Sequence, residues 1–227
     1  MRLLLISNSG SPLYHWNKRH IADFLGENKE VTFVSAATMA SEQEYFQKAQ
    51  ESLAKVGLRL RHLELDKDPE DLIEGSQAFL VGGGNTYHLL KRLTEKGLLK
   101  KIATKVQSGT PYVGLSAGAI IATPNILTTN DWNVLGSTSF EGMGLVEFGL
   151  NLHYLEPHEK TAFTGETRDE RIQEYHVAKD NPVLGVPEKT VLWIEDNRIL
   201  VKGDGKVKVF RKDQDPQIYL PEEEVIL

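Results

Sequence analysis

Five short apolar runs, Leu3–Ser7, Val31–Ser35, Leu58–Leu63, Ala78–Val81 and Pro111–Gly114, are separated by segments of helical periodicity, and this alternation narrows the fold more than any other feature. The runs are short, flanked by turn residues and rich in Leu and Val, as strands are. "RLLLIS" is apolar in unbroken succession, which suits a strand covered on both faces. Between the strands, Pro12 to Leu25 carries Trp16, His20 and Phe24 at a spacing of four. Ser41, with Glu44 three residues on, is a capping-box pattern that opens a helix to about Val56, ended by Gly57. A short helix over Asp68–Glu74 and longer ones over Thr86–Glu95 and Leu98–Gln107 follow. Strand–helix–strand repetition of this kind predicts an α/β fold, a mostly parallel sheet with helices on both faces. In such sheets ligands bind beyond the C-terminal ends of the strands. Two glycine-marked corners, Gly82–Gly84 and Gly114–Gly118, fall at those ends.

After Ile121 the pattern changes. Ile126–Thr129, Leu145–Phe148 and Leu184–Val186 read as short strands, and Glu166–Tyr175 as a helix. Val191–Glu195, Arg198–Val201 and Lys206–Phe210 read as a C-terminal β meander with turns at Asp196-Asn197 and Gly203-Asp204-Gly205, and "PEEEVIL" as a tail. The stretch Asn133–Gly144, with three glycines, reads as a mobile loop. No repeat or linker divides the chain, so one α/β domain is expected over residues 1–227.

Composition excludes several function classes. The net charge of −6 and the lack of a Lys/Arg-rich tract argue against nucleic-acid binding. No apolar stretch approaches the roughly 18 residues of a membrane span, and the N-terminal "MRLLLISNSG" reads as a first strand rather than a signal peptide. With no cysteine, thiolate nucleophiles, disulfides and Cys-ligated zinc are ruled out, and a cytoplasmic protein is expected.

The chemistry is concentrated in "YVGLSAGAI", where Gly114-x-Ser116-x-Gly118 fits the nucleophile elbow, a strained strand-to-helix turn that lifts a serine out of the sheet. A tight βα turn whose Ser caps the next helix would share the spacing. A serine hydroxyl needs a base to become a nucleophile. His15, His20, His88 and His176 lie in predicted helices and His62 in a strand, whereas His153 and its neighbour His158 follow an apolar stretch at a loop, and both stay open as bases. Glu188, at the end of an apolar strand, and Asp131, in "TTNDW", compete as the acid that orients the imidazole. An oxyanion hole needs two convergent backbone amides; Ala117 follows the nucleophile and Gly84 lets backbone approach closely. Gly82–Gly84 has neither the Lys-Ser/Thr of a P-loop nor the spacing of a dinucleotide loop.

The blocks "FLVGGGNTYHLLK", "YVGLSAGAIIATPNILTTND", "LNLHY", "GETRDERI" and "VLGVPE", in this order, resemble the peptidase E (aspartyl dipeptidase) family of serine peptidases. The resemblance implies a flavodoxin-like, class I glutamine amidotransferase-like fold. It places the nucleophile at Ser116, the base at His153 rather than His158, and the acid at Glu188. It implies hydrolysis of dipeptides and some short peptides with N-terminal aspartate, with no metal or organic cofactor, by a monomer or homodimer. One departure is that the family's Asn-Pro-His reads Asn151-Leu152-His153 here, which predicts a looser loop. The aspartate side chain calls for a bidentate cation, for which Arg168 is the first choice and Arg171 the second. Asp131 is expected on the amine side of the pocket or as an acid behind it. A related peptidase of other specificity, such as a cyanophycinase-like enzyme, and a non-catalytic amidotransferase-like binding protein are the alternatives.

Overall fold

The computed structural model of the chain describes residues 1–67, 69–156 and 165–227. In chain order the first half contains β1 (Arg2–Ile6), α1 (Lys18–Leu25), β2 (Glu30–Val34), α2 (Glu42–Leu53), β3 (Arg59–His62), α3 (Glu70–Glu74), β4 (Phe79–Val81), α4 (Thr86–Glu95), α5 (Leu98–Gln107), β5 (Tyr112–Leu115) and α6 (Ala117–Ile120). The second half contains β6 (Gly149–Leu152), α7 (Arg168–Ala178), β7 (Val183–Val186), β8 (Thr190–Glu195), β9 (Arg198–Gly203), β10 (Val207–Phe210), β11 (Gln217–Tyr219) and β12 (Glu224–Val225). The five strands expected in the first half are all present and parallel.

Those strands occupy one side of an eight-stranded sheet of order β12-β9-β8-β1-β5-β4-β2-β3, and β8, β9 and β12 join it antiparallel. Alternation along β1 shows how the sheet is covered. Leu3 and Leu5 belong to a core that includes α3, α4, α5 and α6, whereas Leu4 and Ile6 face the opposite core under α1 and α2. Both faces are dry, as the unbroken apolar run requires. A second sheet of order β11-β10-β7-β6 contributes Leu150, Leu152, Leu184, Val186, Val207 and Val209 to the first of these cores. Its central pair, β6 and β7, is parallel.

The second half departs from expectation in physically readable ways. Val191–Glu195 and Arg198–Val201 do form a hairpin, with Asp196 and Asn197 both at positive φ as a two-residue turn demands. The third run leaves it: β10 pairs with β7 and β11 in the second sheet, so the expected three-strand meander is split at Gly203–Gly205. The "PEEEVIL" tail ends as β12 against β9. Ile126–Thr129 and Leu145–Phe148 are not strands, although Ile126, Leu145 and Phe148 are buried; the backbone there is held by isolated bonds, such as Leu145 N–H to Ala122 O at 2.8 Å. The Asn133–Gly144 stretch is tied at its end to Ile121–Pro124, with Met143 N–H to Ile121 O at 2.7 Å. The first helix begins at Lys18, not Pro12, because Tyr14 takes a positive φ of 60° that a helix cannot contain, and His15 therefore lies in a turn. Asp68, expected to start α3, and His158 lie outside the described residues.

A polar hub joins the second sheet to its neighbours. Lys208 of β10, with only 13% of its side chain exposed, donates to Asp169 of α7 at 2.8 Å, to the Tyr154 hydroxyl at 3.1 Å and to Glu156 at 3.2 Å. The Tyr154 hydroxyl donates in turn to Asp169. Burial alone would lower the Lys208 ammonium, but the hydrogen bonds and charges of Asp169 and Glu156 outweigh it and raise the group above its usual value. Burial, and then Asp169 and Glu156, push the Tyr154 phenol up. Among the described residues no helix is long and apolar enough to cross a membrane.

Two stability outcomes are expected. A Cβ on Gly118 would lie 2.2 Å from the Val81 carbonyl oxygen, so Gly118→Ala forces β4 and α6 apart and costs about 3 kcal/mol, read as a Tm drop of roughly 6–12 °C. Lys208→Met leaves Asp169 without its cation and costs roughly 1–2 kcal/mol. A raised lysine stabilises the fold below its unfolded value and loses that contribution only as pH rises through its folded value, so the difference from the parent should persist across neutral pH and shrink only in strong alkali. An unchanged Tm for Lys208→Met at pH 7 would show that the hub carries no stability.

Candidate active site

Ser116 stands between β5 and α6 at φ 48° and ψ −114°, outside the regions favoured by L-residues. Its N–H reaches the Ile6 carbonyl at 2.9 Å, so the corner is anchored to the end of the neighbouring strand. The glycines around it answer a steric need. A Cβ on Gly114 would lie 2.5 Å from the Gly118 oxygen, and Gly118 itself meets Val81. Strain of this kind costs of order 1–3 kcal/mol and persists only where the surroundings over-determine it.

The second sheet brings the partners. The register of β6 with β7 sets Leu152 beside Val186, so the residues just beyond, His153 and Pro187-Glu188, leave the sheet side by side. His153 turns sharply, at φ 54°, and Lys189 after Glu188 does the same at φ 55°. The next strand, β8, belongs to the main sheet, where Thr190 exchanges bonds of 3.0 and 3.1 Å with Ser7 at the end of β1. Glu188 therefore sits at the crossing between the two sheets. His153 Nδ1 lies 2.5 Å from Glu188 Oε1, and His153 Nε2 lies 3.0 Å from Ser116 Oγ. With Nδ1–H donated to the carboxylate, Nε2 is left to accept from the serine hydroxyl. Ser116, His153 and Glu188 thus form one hydrogen-bonded line.

This line opens on a cavity of about 300 Å³ bounded by Asn8, Thr38, Tyr45, Gly83, Ser116 and His153, among others. Gly84 also borders it, at φ 144°, and needs to be glycine because a Cβ there would lie 2.2 Å from the Ala37 oxygen. Among the described residues the amides of Gly84 and Ala117 have no protein acceptor, whereas Gly83 N–H is taken by the Tyr45 hydroxyl at 3.1 Å. A larger groove of about 570 Å³ lies between α7 and the β10–β11 turn, but no serine or cysteine lines it. No group of three or more metal-ligating side chains occurs among the described residues.

The remaining expected residues border the site less directly, and none of them lines the cavity. Arg168, at the start of α7, donates to Asn130 Oδ1, and the Asn130 amide donates to the Leu152 carbonyl at 2.7 Å, one residue before His153. Burial and then the charge of Arg171 lower the Arg168 guanidinium, which remains a cation. Arg171 turns to Glu166 at 3.3 Å, half-exposed. Asp131 Oδ2 accepts from the Thr86 N–H at 2.7 Å and its hydroxyl at 2.6 Å, which holds the first turn of α4 directly after Gly84 and Asn85. Thr167 and Glu170 form a full capping box at the start of α7, so the helix begins after Glu166. Leu152, at the position of the proline in Asn-Pro-His, is the last residue of β6 and is buried. Sequence reasoning missed Tyr45, Asn8 and Thr38. The last two follow β1 and β2 at the C-terminal edge of the sheet, a position that could have flagged them; Tyr45 carries no such signal, being an ordinary helix residue.

The sequence model of peptidase family S51 matches residues 3–202. A peptidase E of Nostoc sp. is 37% identical, over 97% of this chain and 93% of its own length. A probable alpha-aspartyl dipeptidase of Drosophila melanogaster is 40% identical, over 82% of this chain and 77% of its own length. The crystal structure of a peptidase from an acI-B1 actinobacterium superposes with a TM-score of 0.76 at 20% identity, covering 100% of this chain and 96% of that one, and so shares the fold. On the family match along most of its length and on these relatives, the chain belongs to peptidase family S51 and is a peptidase.

Proposed function

We propose that the protein is a serine-type dipeptidase that hydrolyses dipeptides, and some short peptides, beginning with aspartate, through an acyl-enzyme on Ser116. The observation that carries this reading is the Ser116–His153–Glu188 line, at 3.0 and 2.5 Å, opening on a cavity near the small end of the ligand-pocket range. A pocket of that size suits a short peptide rather than a folded protein.

In this reading His153 Nε2 takes the Ser116 proton as Oγ attacks the carbonyl of the N-terminal residue, and Glu188 holds the imidazole and stabilises its cation. The amides of Gly84 and Ala117 receive the oxyanion. His153 Nε2 then gives its proton to the leaving amine, and a water repeats the attack on the ester to free Ser116. The first of these protons moves between atoms already in hydrogen-bond reach, Ser116 Oγ and His153 Nε2 at 3.0 Å. Arg168 is assigned the substrate's β-carboxylate, because Asn130 holds it close to the His153 corner and a guanidinium matches a carboxylate in two bonds. Arg171 is the second choice, being paired with Glu166. Asp131 acts behind the site, fixing the turn that follows Gly84, with Oδ1 left for the amine side. No metal or organic cofactor takes part in these steps.

Steady-state assays on Asp-X, Glu-X, Ala-X and isoaspartyl dipeptides test the assignment, with turnover of Asp-X expected to dominate. Ser116→Ala should lower kcat by roughly 10⁴-fold or more, leaving only what the oxyanion amides supply. Near-parental turnover by folded Ser116→Ala protein would remove the mechanism. Arg168→Met should raise KM for Asp-X roughly 10–100-fold and erase the preference over Ala-X; an intact preference moves the carboxylate site to another cation.

A further inference from the structure

Tyr45 has no part in the proton transfers, yet its hydroxyl reaches the backbone opposite the serine. The Gly83 N–H donates to it at 3.1 Å. Packing on Phe33 and Gly82 holds the side chain, and a second hydroxyl makes only a long contact with it. The Tyr45 ring stands edge-on to Phe33 with centroids 5.3 Å apart. The Tyr14 hydroxyl lies 3.4 Å away. Gly82 packs so closely that a Cβ there would be 2.6 Å from the Tyr45 oxygen. Burial pushes the Tyr45 phenol up against the pull of its bonds with Tyr14 and Gly83, so the group stays a neutral hydroxyl at working pH.

The backbone it holds runs directly beneath Ser116. A Cβ on Gly83 would lie 3.1 Å from Ser116 Cβ and 3.7 Å from its Oγ. The peptide that links Gly83 to Gly84 is therefore within reach of any group bonded to the serine. Three glycines in succession leave this segment free to rotate unless something outside it sets the orientation. Gly84 is locked on one side by Ala37, through its own crowding and the Asn85 N–H bond to Ala37 O at 2.9 Å. On the other side Gly82 N–H is held by the Val34 carbonyl at 2.9 Å and Gly83 N–H by the Tyr45 hydroxyl, and among the described residues Gly84 N–H has no protein acceptor.

We propose that Tyr45 is a positioning residue for the oxyanion hole: by taking the Gly83 N–H, its hydroxyl fixes the Gly82–Gly83 peptide, as Ala37 fixes the Gly84–Asn85 peptide, so that the Gly83–Gly84 peptide held between them turns the Gly84 N–H toward the oxygen that develops negative charge. Tyr45 acts through the backbone and not on the substrate. The inference rests on the serine-hydrolase reading above and deepens it. It also explains why a polar side chain projects from an otherwise amphipathic helix toward the strand ends: the donor it satisfies belongs to the loop, not to α2.

The test compares Tyr45→Phe with Tyr14→Phe. The first removes the hydroxyl that holds Gly83; the second removes the long Tyr14 contact and leaves the Gly83 bond intact. For Tyr45→Phe, kcat on an Asp-X dipeptide should fall roughly tenfold with KM within about twofold, a fraction of the loss that deleting an oxyanion donor causes. The affinity of an aspartyl boronic acid, which forms a tetrahedral adduct on the serine, should fall by the same factor, while binding of free aspartate stays unchanged. Tyr14→Phe should keep kcat within about twofold even where its Tm drops as much. The inference is overturned if Tyr45→Phe keeps parental kcat, if its loss is all in KM, or if Tyr14→Phe loses kcat equally, since each points to packing alone. Should the parent itself fail to cleave Asp-X and fail to bind the boronic acid, the reading of the site fails and this inference with it; cleavage by the parent with an indifferent Tyr45→Phe sinks this inference alone.

Discussion

A contact of 3.0 Å between an alcohol at the end of one sheet and an imidazole at the end of another holds the logic of this protein together. Neither sheet can make the site by itself. The main sheet lifts Ser116 beyond β5, and the second sheet sends out His153 and Glu188 from adjacent parallel strands. The junction is built at Glu188–Thr190, where the chain passes from β7 to β8 and Thr190 locks onto Ser7. Any slip between the sheets would separate Ser116 from His153, so the shared apolar core beneath them sets the geometry of the site as well as stability.

Three of the strained backbone positions stand around the site. Ser116, His153 and Lys189 all hold positive φ, and none is a glycine. Ser116 and His153 each follow the end of a strand and line the same cavity, while Lys189 turns the chain between Glu188 and β8. Glycines close by absorb the crowding this produces: Gly114 and Gly118 around the serine, and Gly84 against Ala37. The cost of such conformations is offset by the buried sheets that impose them, and they hold Ser116, His153 and Glu188 in one hydrogen-bonded line. The same division appears behind the site, where Lys208, Tyr154 and Asp169 fix the chain after His153 to the N-terminal turn of α7, the turn that carries Arg168.

Much of this was legible before any coordinates. The five parallel strands follow from short apolar runs between amphipathic helices, because a strand buried on both faces has no polar alternation to hide it. The second half was read less well. Leu145 and Phe148 are buried like strand residues but sit in loops, and in a segment this short burial and strand pairing leave the same apolar trace. Lys206–Phe210 resembles its meander neighbours in composition, and nothing local says that Gly203–Gly205 sends it to a different sheet. Arg171 and Asp131 show a related limit: residue type marks a charge as suitable, but Glu166 and Thr86 claim those two groups by proximity that only folding creates.

What the sequence by itself determined is the parallel half of the main sheet and the serine corner, since both are written in contiguous residues: apolar period, helix caps, and glycines at the third and seventh positions of one nine-residue stretch, with the serine midway between them. The resemblance of its ordered blocks added the base and the acid. Only the tertiary structure decided how those side chains meet. His153 and Glu188 are 35 residues apart and come within 2.5 Å because β6 and β7 pair in one register, a choice made by long-range packing. Tyr45 and Gly83, 38 positions apart, are joined by a single hydrogen bond that no local pattern announces. Local chemistry writes elements and corners into a chain; the distances between corners come from the packing of whole layers, and catalysis depends on those distances.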